Sequence, residues 1–242
     1  MRQTLYRREV KRARRQIERS MTRAVYRELS IFWRKIYPRV RKISYQKPVS
    51  KTVRRSALRK ASFLTDTHLW EMFETRLREH LLSELVAGAV TLEAIRRAAH
   101  EENGITIDPQ AVIAAHRAEI ADEVHGISTR TRRKVGRIVS NWYQKPGKTL
   151  DDLVDDLHPF FDERRAQMIA ITETTALNSR VIAAEMDALG TDDWIWDTSR
   201  DEIVCRNCRE KHGRTFHRND PMPPEGSHPG CRCGAIPKPK ID

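Results

Sequence analysis

All four cysteines of the chain fall between residues 205 and 233, and nothing upstream carries a thiol. They form C-x-x-C (Cys205, Cys208), then a 22-residue gap holding His212, His217 and His228, then H-P-G-C-R-C with Cys231 and Cys233. Thiolates of a C-x-x-C turn converge on one side, and a second pair of ligands closes a tetrahedral site around Zn2+. The second pair is Cys231 with Cys233, or His228 with one of them; His212 and His217 are spares. Residues 198–233 are rich in prolines and poor in apolar residues. Such a segment packs weakly on its own, and a structural Zn2+ would supply the missing stability. Two disulfides are disfavoured because no apolar signal segment opens the chain. The spacing lacks H-E-x-x-H and H-x-E…P-C-x-x-C, so a zinc hydrolase or deaminase using Asp201, Glu202 or Glu210 as base is disfavoured too. The expectation is a structural site and no enzyme.

Charge is unevenly placed. Residues 1–60 carry 21 Lys and Arg against three acids, whereas the remaining 182 residues carry 24 against 30. A basic arm ahead of a mildly acidic body favours a polyanionic partner: DNA, RNA or an acidic protein surface. The aromatics Tyr6, Tyr26, Phe32, Trp33 and Tyr37 lie within that arm. At helical spacing they read first as core or interface residues and second as a stacking set for bases. No run of 18 apolar residues exists, so no membrane span is expected.

The expected fold class is mainly α: an elongated helical domain with a small β and zinc-knuckle cap at the C-terminus. Val10, Ile17, Met21, Val25, Leu29, Phe32 and Ile36, with Leu5, share one face of a helix over 3–36 that Pro38 ends. Residues 39–62 read as a linker or weak helix. A helix over 64–87 is capped by Thr65 or Asp66, built on Leu69, Phe73, Leu77, Leu81 and Leu85, and stopped by Gly88; another follows over 91–102. Asn103-Gly104 is a turn. Asp108-Pro109 starts a helix that reaches about Tyr143, kinked near Gly126. Thr149 and Asp152 form a capping box for 150–157. Asp162 opens the last long helix, which Gly190 stops after Leu189. Trp194-Ile-Trp196 alternates as a strand, and 234–237 is a closing strand. The expected domains are a basic helix and linker (1–62), a helical body (63–190) and the cap (191–242).

Residues 163–237 resemble the phage Mu F-like head morphogenesis family. The features stand in the family's order. They are R-A-Q-M-I-A-I-T-E-T-T-A-L-N (165–178), W-I-W-D-T-S-R-D-E-I-V-C-R-N-C (194–208), H-G-R-T-F (212–216), a proline-rich stretch, and H-P-G-C-R-C (228–233). The lead-in at 109–160 fits the same domain. The resemblance implies a minor head protein in the virion head at the portal vertex, present in the host cytoplasm during assembly. It implies action in procapsid assembly, head maturation, or DNA packaging and ejection, with the portal or major capsid protein as partner. Packaged double-stranded DNA is a further partner for residues 1–60. It carries the metal set over as Cys205, Cys208, His228, Cys231 and Cys233. It also marks Thr172-Glu173-Thr174, without a role. An inward Glu173 would need a cation such as Arg132 or Arg133. Some members carry a toxin or protease after this domain, and the nine residues after Cys233 lead us to expect none here. The alternative function is a zinc-containing nucleic-acid-binding protein unrelated to capsids, reading bases with Asn178, Ser179 and Arg180.

Overall fold

A computed structural model describes residues 3–44, 62–99, 106–145, 147–199 and 204–238. The described elements are mainly helices. They are α1 (Gln3–Ser44), α2 (Ser62–Thr65), α3 (Thr67–Ala99), α4 (Pro109–Ala115), α5 (Arg117–Gln144), α6 (Leu150–Leu157) and α7 (Glu163–Leu189). Strand β1 (Asp193–Asp197), helix α8 (Arg206–Lys211) and strands β2 (Thr215–His217) and β3 (Gly234–Pro237) follow. The chain divides into two compact units: residues 1–22, 81–117 and 167–242 form one, and residues 23–80 and 118–166 the other. Among the described residues, no helix is long and apolar enough to cross a membrane.

In the unit of residues 23–80 and 118–166, the core is aromatic. Phe32 lies 4.7 Å from Trp70, 4.5 Å from Phe73 and 5.8 Å from Phe161 between ring centroids. Trp33 stacks on Phe161 at 5.2 Å. Of the aromatics in this part of α1, Phe32 is a core residue, Trp33 and Tyr37 are half-buried, and Tyr26 is exposed. Glu28 is buried and takes a two-pronged bond from Arg76, at 2.6 and 3.2 Å, with His80 Nε2 at 3.2 Å. Trp142 Nε1 donates to the Thr149 carbonyl. Thr149 and Asp152 make the capping box of α6 in both directions, as expected.

Four boundaries differ from the sequence reading. Helix α1 does not end at Pro38 but carries it inside and runs to Ser44. A proline in a helix costs about 3 kcal/mol. Ile36 and Val40 are fully buried on either side, and Arg39 bonds Asp66 at 2.7 Å; these tertiary contacts hold the helix past the break. The linker expected over 39–62 is thus helical as far as Ser44, and 45–61 lie outside the described residues, as does the Asn103-Gly104 turn. Gly88 does not stop a helix, since α3 continues through it to Ala99. The break expected near Gly126 falls instead at His116, whose ring Nδ1 bonds the Val112 carbonyl at 2.8 Å.

Gly88 is a packing residue. A Cβ there would stand 2.8 Å from Leu177 Cδ2 and 3.1 Å from Ile17 Cγ2, so the missing side chain is what lets α3 approach α1 and α7. All three positions lie in the unit of residues 1–22, 81–117 and 167–242. In the same unit α7 ends as anticipated. Gly190 has φ +61° and donates to the Asp187 carbonyl, and Thr191 N–H reaches the Met186 carbonyl at 3.0 Å. That is the paired bonding of a Schellman stop. Strand β1 is central in an antiparallel sheet of order β2-β1-β3, with Trp194 opposite Phe216 and Trp196 opposite Ala235. Its two tryptophans point inward and are fully buried, as the alternation predicts; β2 was not expected.

Two outcomes test this packing. Gly88→Val should destabilise the chain by about 1–3 kcal/mol in urea unfolding, because an overfilled core forces side chains off their rotamers; unchanged stability would contradict the close approach. Asp66 supplies the second. Its carboxyl is held below the usual carboxylate range, first by the Arg39 bond and then by the Leu69 N–H. A depressed acid contributes stability that is present above about pH 4 and is lost as pH falls through the lower folded value. Asp66→Asn should therefore be less stable at neutral pH and lose less than wild type between pH 5 and pH 2.

Candidate metal centre

The cap presents its thiols from two short segments. Cys205 precedes α8 and caps it, its Sγ accepting from the Cys208 N–H at 3.4 Å. Cys208 follows one turn later, so both sulfurs face the same way. The second segment is the loop 228–233. Gly230 turns it with φ +79°, a conformation that L side chains resist, and a Cβ there would collide with Met168. The proline, glycine and spacing of H-P-G-C-R-C thus bend this loop back onto α8.

The last long helix holds the loop in place. Thr172 Oγ1 accepts from Gly230 N–H at 2.9 Å, and Thr175 Oγ1 donates to the Cys231 carbonyl at 2.5 Å. Ser179 Oγ donates to the Pro223 carbonyl further along. Polar residues on α7 therefore meet the backbone of a segment that has no regular ladder of its own. The threonine-rich stretch T-E-T-T acquires a role here: Thr172 and Thr175 seat the ligand loop. Glu173 is buried, which excludes a solvated side chain. Arg132, considered as its partner, donates through Nε to the Leu64 carbonyl.

All five sequence candidates line one small recess: Cys205, Cys208, His228, Cys231 and Cys233. Their ligand atoms form two overlapping groups, Cys205–Cys208–His228 and Cys208–Cys231–Cys233, each with every atom within 4.8 Å of the others. Cys208 is the shared corner. Its Sγ stands 3.7 Å from Cys231 Sγ. Two sulfurs at about 2.3 Å from one tetrahedral ion are about 3.8 Å apart, so this pair already has the spacing of a shared ion. His228 Nε2 is 3.2 Å from Cys205 Sγ, and its Nδ1 donates to the Pro229 carbonyl at 2.9 Å. That bond leaves Nε2 as the ring's lone pair facing the recess, as in histidines that ligate metals. The donor set fits Zn2+. The two spare histidines are elsewhere: His212 Nδ1 accepts from the Thr198 N–H and His217 Nδ1 from the Asn219 N–H.

The thiols divide by proton affinity. Cys231 is drawn down to about 5, first by the Cys233 side chain bonding it and then against its own burial. Cys205 is also lowered, first by the Cys208 N–H. Cys208 is pushed up to about 12, mainly by burial, and Cys233 is raised by the hydrogen bond with Cys231 and by burial. All four are free thiols. Four sulfurs packed so closely cannot all ionise unless a cation joins them, and a divalent metal bound there would displace the remaining protons.

Around the recess lies the cap's core. Trp194, Trp196, Cys208, Cys231, Cys233 and Ala235 cluster with Ile182 and Met186 of α7, and Phe216 stacks on Trp194 at 4.8 Å. The tryptophan pair therefore anchors the cap to α7 beside the thiols.

Residues 143–236 match the family model described as Phage Mu protein F like protein. The match, over less than half of the chain, agrees with the resemblance that the ordered motifs carry, and it contains α6, α7 and the whole described cap except its last residues. An uncharacterized protein of Haemophilus influenzae is 35% identical over 79 residues, which cover 31% of this chain and 17% of that protein. The chain thus matches only a small part of that relative's length. No solved structure matches.

Cys208 belongs to both ligand groups, so its loss should be felt whichever four atoms bind. Cys208→Ser should lower the zinc content of the purified chain, by inductively coupled plasma mass spectrometry, from about one equivalent to near zero, while the helical circular dichroism largely persists. Zinc retained in full by this variant would sink the metal reading.

Proposed function

We propose that this chain is a phage minor head protein of the Mu F-like kind, acting in head morphogenesis and associated with the portal vertex. The observation that carries the reading is the coincidence of two independent facts over the same residues. The family match ends within the cap, and the cap's Cys and His residues, scattered over 29 positions of sequence, line one recess of metal-ligand dimensions. A structural Zn2+ there cross-links the α8 turn to the 228–233 loop. It carries no reaction in this reading; among the described residues, the groups beside it are seating threonines and tryptophans, and the candidate bases Asp201 and Glu202 lie outside the described residues.

The partners follow from the family resemblance and the charge. The portal or major capsid protein is the protein partner. The Lys and Arg residues of 1–60 provide sequence-independent, salt-sensitive attachment to an anionic surface, including packaged double-stranded DNA. The competing reading, a base-reading regulator, needs Asn178, Ser179 and Arg180 on an accessible helix. All three are buried in α7, which counts against it.

The test is quantitative mass spectrometry of gradient-purified virions and procapsids. A few copies per particle, in constant ratio to the portal protein, is the expected result. Absence from both particles would overturn the assignment.

A further inference from the structure

Helix α1 carries 42 residues, and one edge of its first turns does something its charge alone does not explain. Lys11, Arg14 and Glu18 are spaced to fall on one face. Each reaches a segment flanking the thiols. Lys11 Nζ donates to the Ser199 carbonyl at 2.9 Å, just past β1. Arg14 donates to Thr175 Oγ1 at 3.0 Å and to the Cys233 carbonyl at 3.3 Å. Glu18 pairs with Arg232, between the two cysteines, at 3.3 Å. The arginines beside this edge, Arg8, Arg12, Arg15 and Arg19, are exposed and without ion pairs among the described residues.

Arg14 is the member that needs explaining. Its guanidinium is half-buried against Gly234, where an added Cβ would stand 3.3 Å from its terminal nitrogen. Among the described residues no carboxylate bonds it; the nearest acid on its own helix, Glu18, is engaged by Arg232. A desolvated cation without a bonded anion is costly. Among the described residues, the thiols of Cys231 and Cys233 are the groups beside it that a bound metal would hold as anions. A zinc ion held by four thiolates carries a net charge of about −2, and by three thiolates and a histidine about −1. Either leaves an anionic centre beside Arg14. Thr175 connects the two physically: it accepts from Arg14 and donates to the Cys231 carbonyl.

We propose that the Lys11–Arg14–Glu18 edge of α1 is a metal-linked latch, in which Arg14 is the outer counter-charge of the thiolate centre, so that metal binding and seating of this helix edge strengthen each other. The proposal rests on the metal reading above and adds a positioning residue that the Cys/His pattern does not contain. Reciprocity is required: whatever the seated helix adds to metal affinity, the metal adds to the seating of the helix. Outer residues of this kind are worth about 10–100-fold in metal affinity.

The experiment uses the full chain and Zn2+, in competition with a chromophoric chelator. Arg14→Gln should bind zinc about 10–100-fold more weakly than wild type. Arg14→Lys, which keeps the charge but loses the fork, should recover much of the loss. Arg12→Gln, an equal charge loss on the exposed face, should bind as wild type does. Hydrogen exchange on the unaltered chain supplies a reading independent of any variant's folding: stripping zinc should speed amide exchange over residues 8–20. Wild-type affinity in Arg14→Gln, equal weakness in Arg14→Lys and Arg14→Gln, or exchange over 8–20 that ignores zinc each overturns the latch while leaving the metal site standing. A wild-type chain that binds no zinc overturns the metal reading and the latch with it.

Discussion

The convergence of four thiols on one recess is the constraint from which the rest of the cap follows. Cys208, Cys231 and Cys233 are each almost wholly buried, and their sulfurs sit at spacings that repel if they are ionised and crowd if they are not. A shared divalent ion removes that conflict; in small zinc modules such an ion supplies about 10–16 kcal/mol of folding free energy. The surrounding features serve the same geometry. Gly230 takes a backbone turn that other residues resist, Cys205 caps α8, and His228 is oriented by the Pro229 carbonyl. The tryptophans of β1 then provide apolar mass where the proline-rich segment has little.

Helix α7 is the platform for this arrangement, and it is an unusual one for its composition. From Glu173 to Met186 it is buried on nearly all sides, yet that stretch includes Thr174, Thr175, Asn178, Ser179, Arg180 and Glu185. These polar groups are placed by partners rather than by hydrophobicity. Thr175 and Ser179 bond loop carbonyls, while Arg96 of α3 pairs with Glu185 and reaches Asn178. Apolar replacements of a buried ion pair are often no less stable. The gain from such groups is directional: a hydrogen bond to one carbonyl specifies a register that a leucine would leave loose. For a site whose ligands must each stand within tenths of an ångström of their coordinating positions, register is what matters.

Within the other unit the same division of labour recurs on a larger apolar scale. Phe32, Trp70, Phe73 and Phe161 supply the area, and the buried Glu28 carboxylate supplies directional bonds to Arg76 and His80. Packing there also overrides local preference. Pro38 has the intrinsic effect expected of it, removal of a backbone donor, but fully buried Ile36 and Val40 outweigh that cost.

The sequence by itself determined the helical class, the caps at Asp108, Thr149 and Asp162, a cap at Thr65 or Asp66 that the structure assigns to Asp66, the stop at Gly190, the inward tryptophans of β1 and the five residues around the recess. Each of these is a local signal. A cap needs only three residues, a strand only its alternation, and a ligand cluster only residue types rare enough to stand out. Where the outcome depended on what lay across the interface, the sequence was silent or misleading. Gly88 looks like a helix stop and is a close-packing point against Ile17 and Leu177. Thr172 and Thr175 look like ordinary helix residues and seat the ligand loop. Arg14 is one arginine among many in the basic stretch, and only tertiary structure distinguishes it from Arg12. The physical reason is common to all three: a side chain's energy is set by the neighbour it meets, and neighbours 56 to 219 positions away leave no mark on the local pattern.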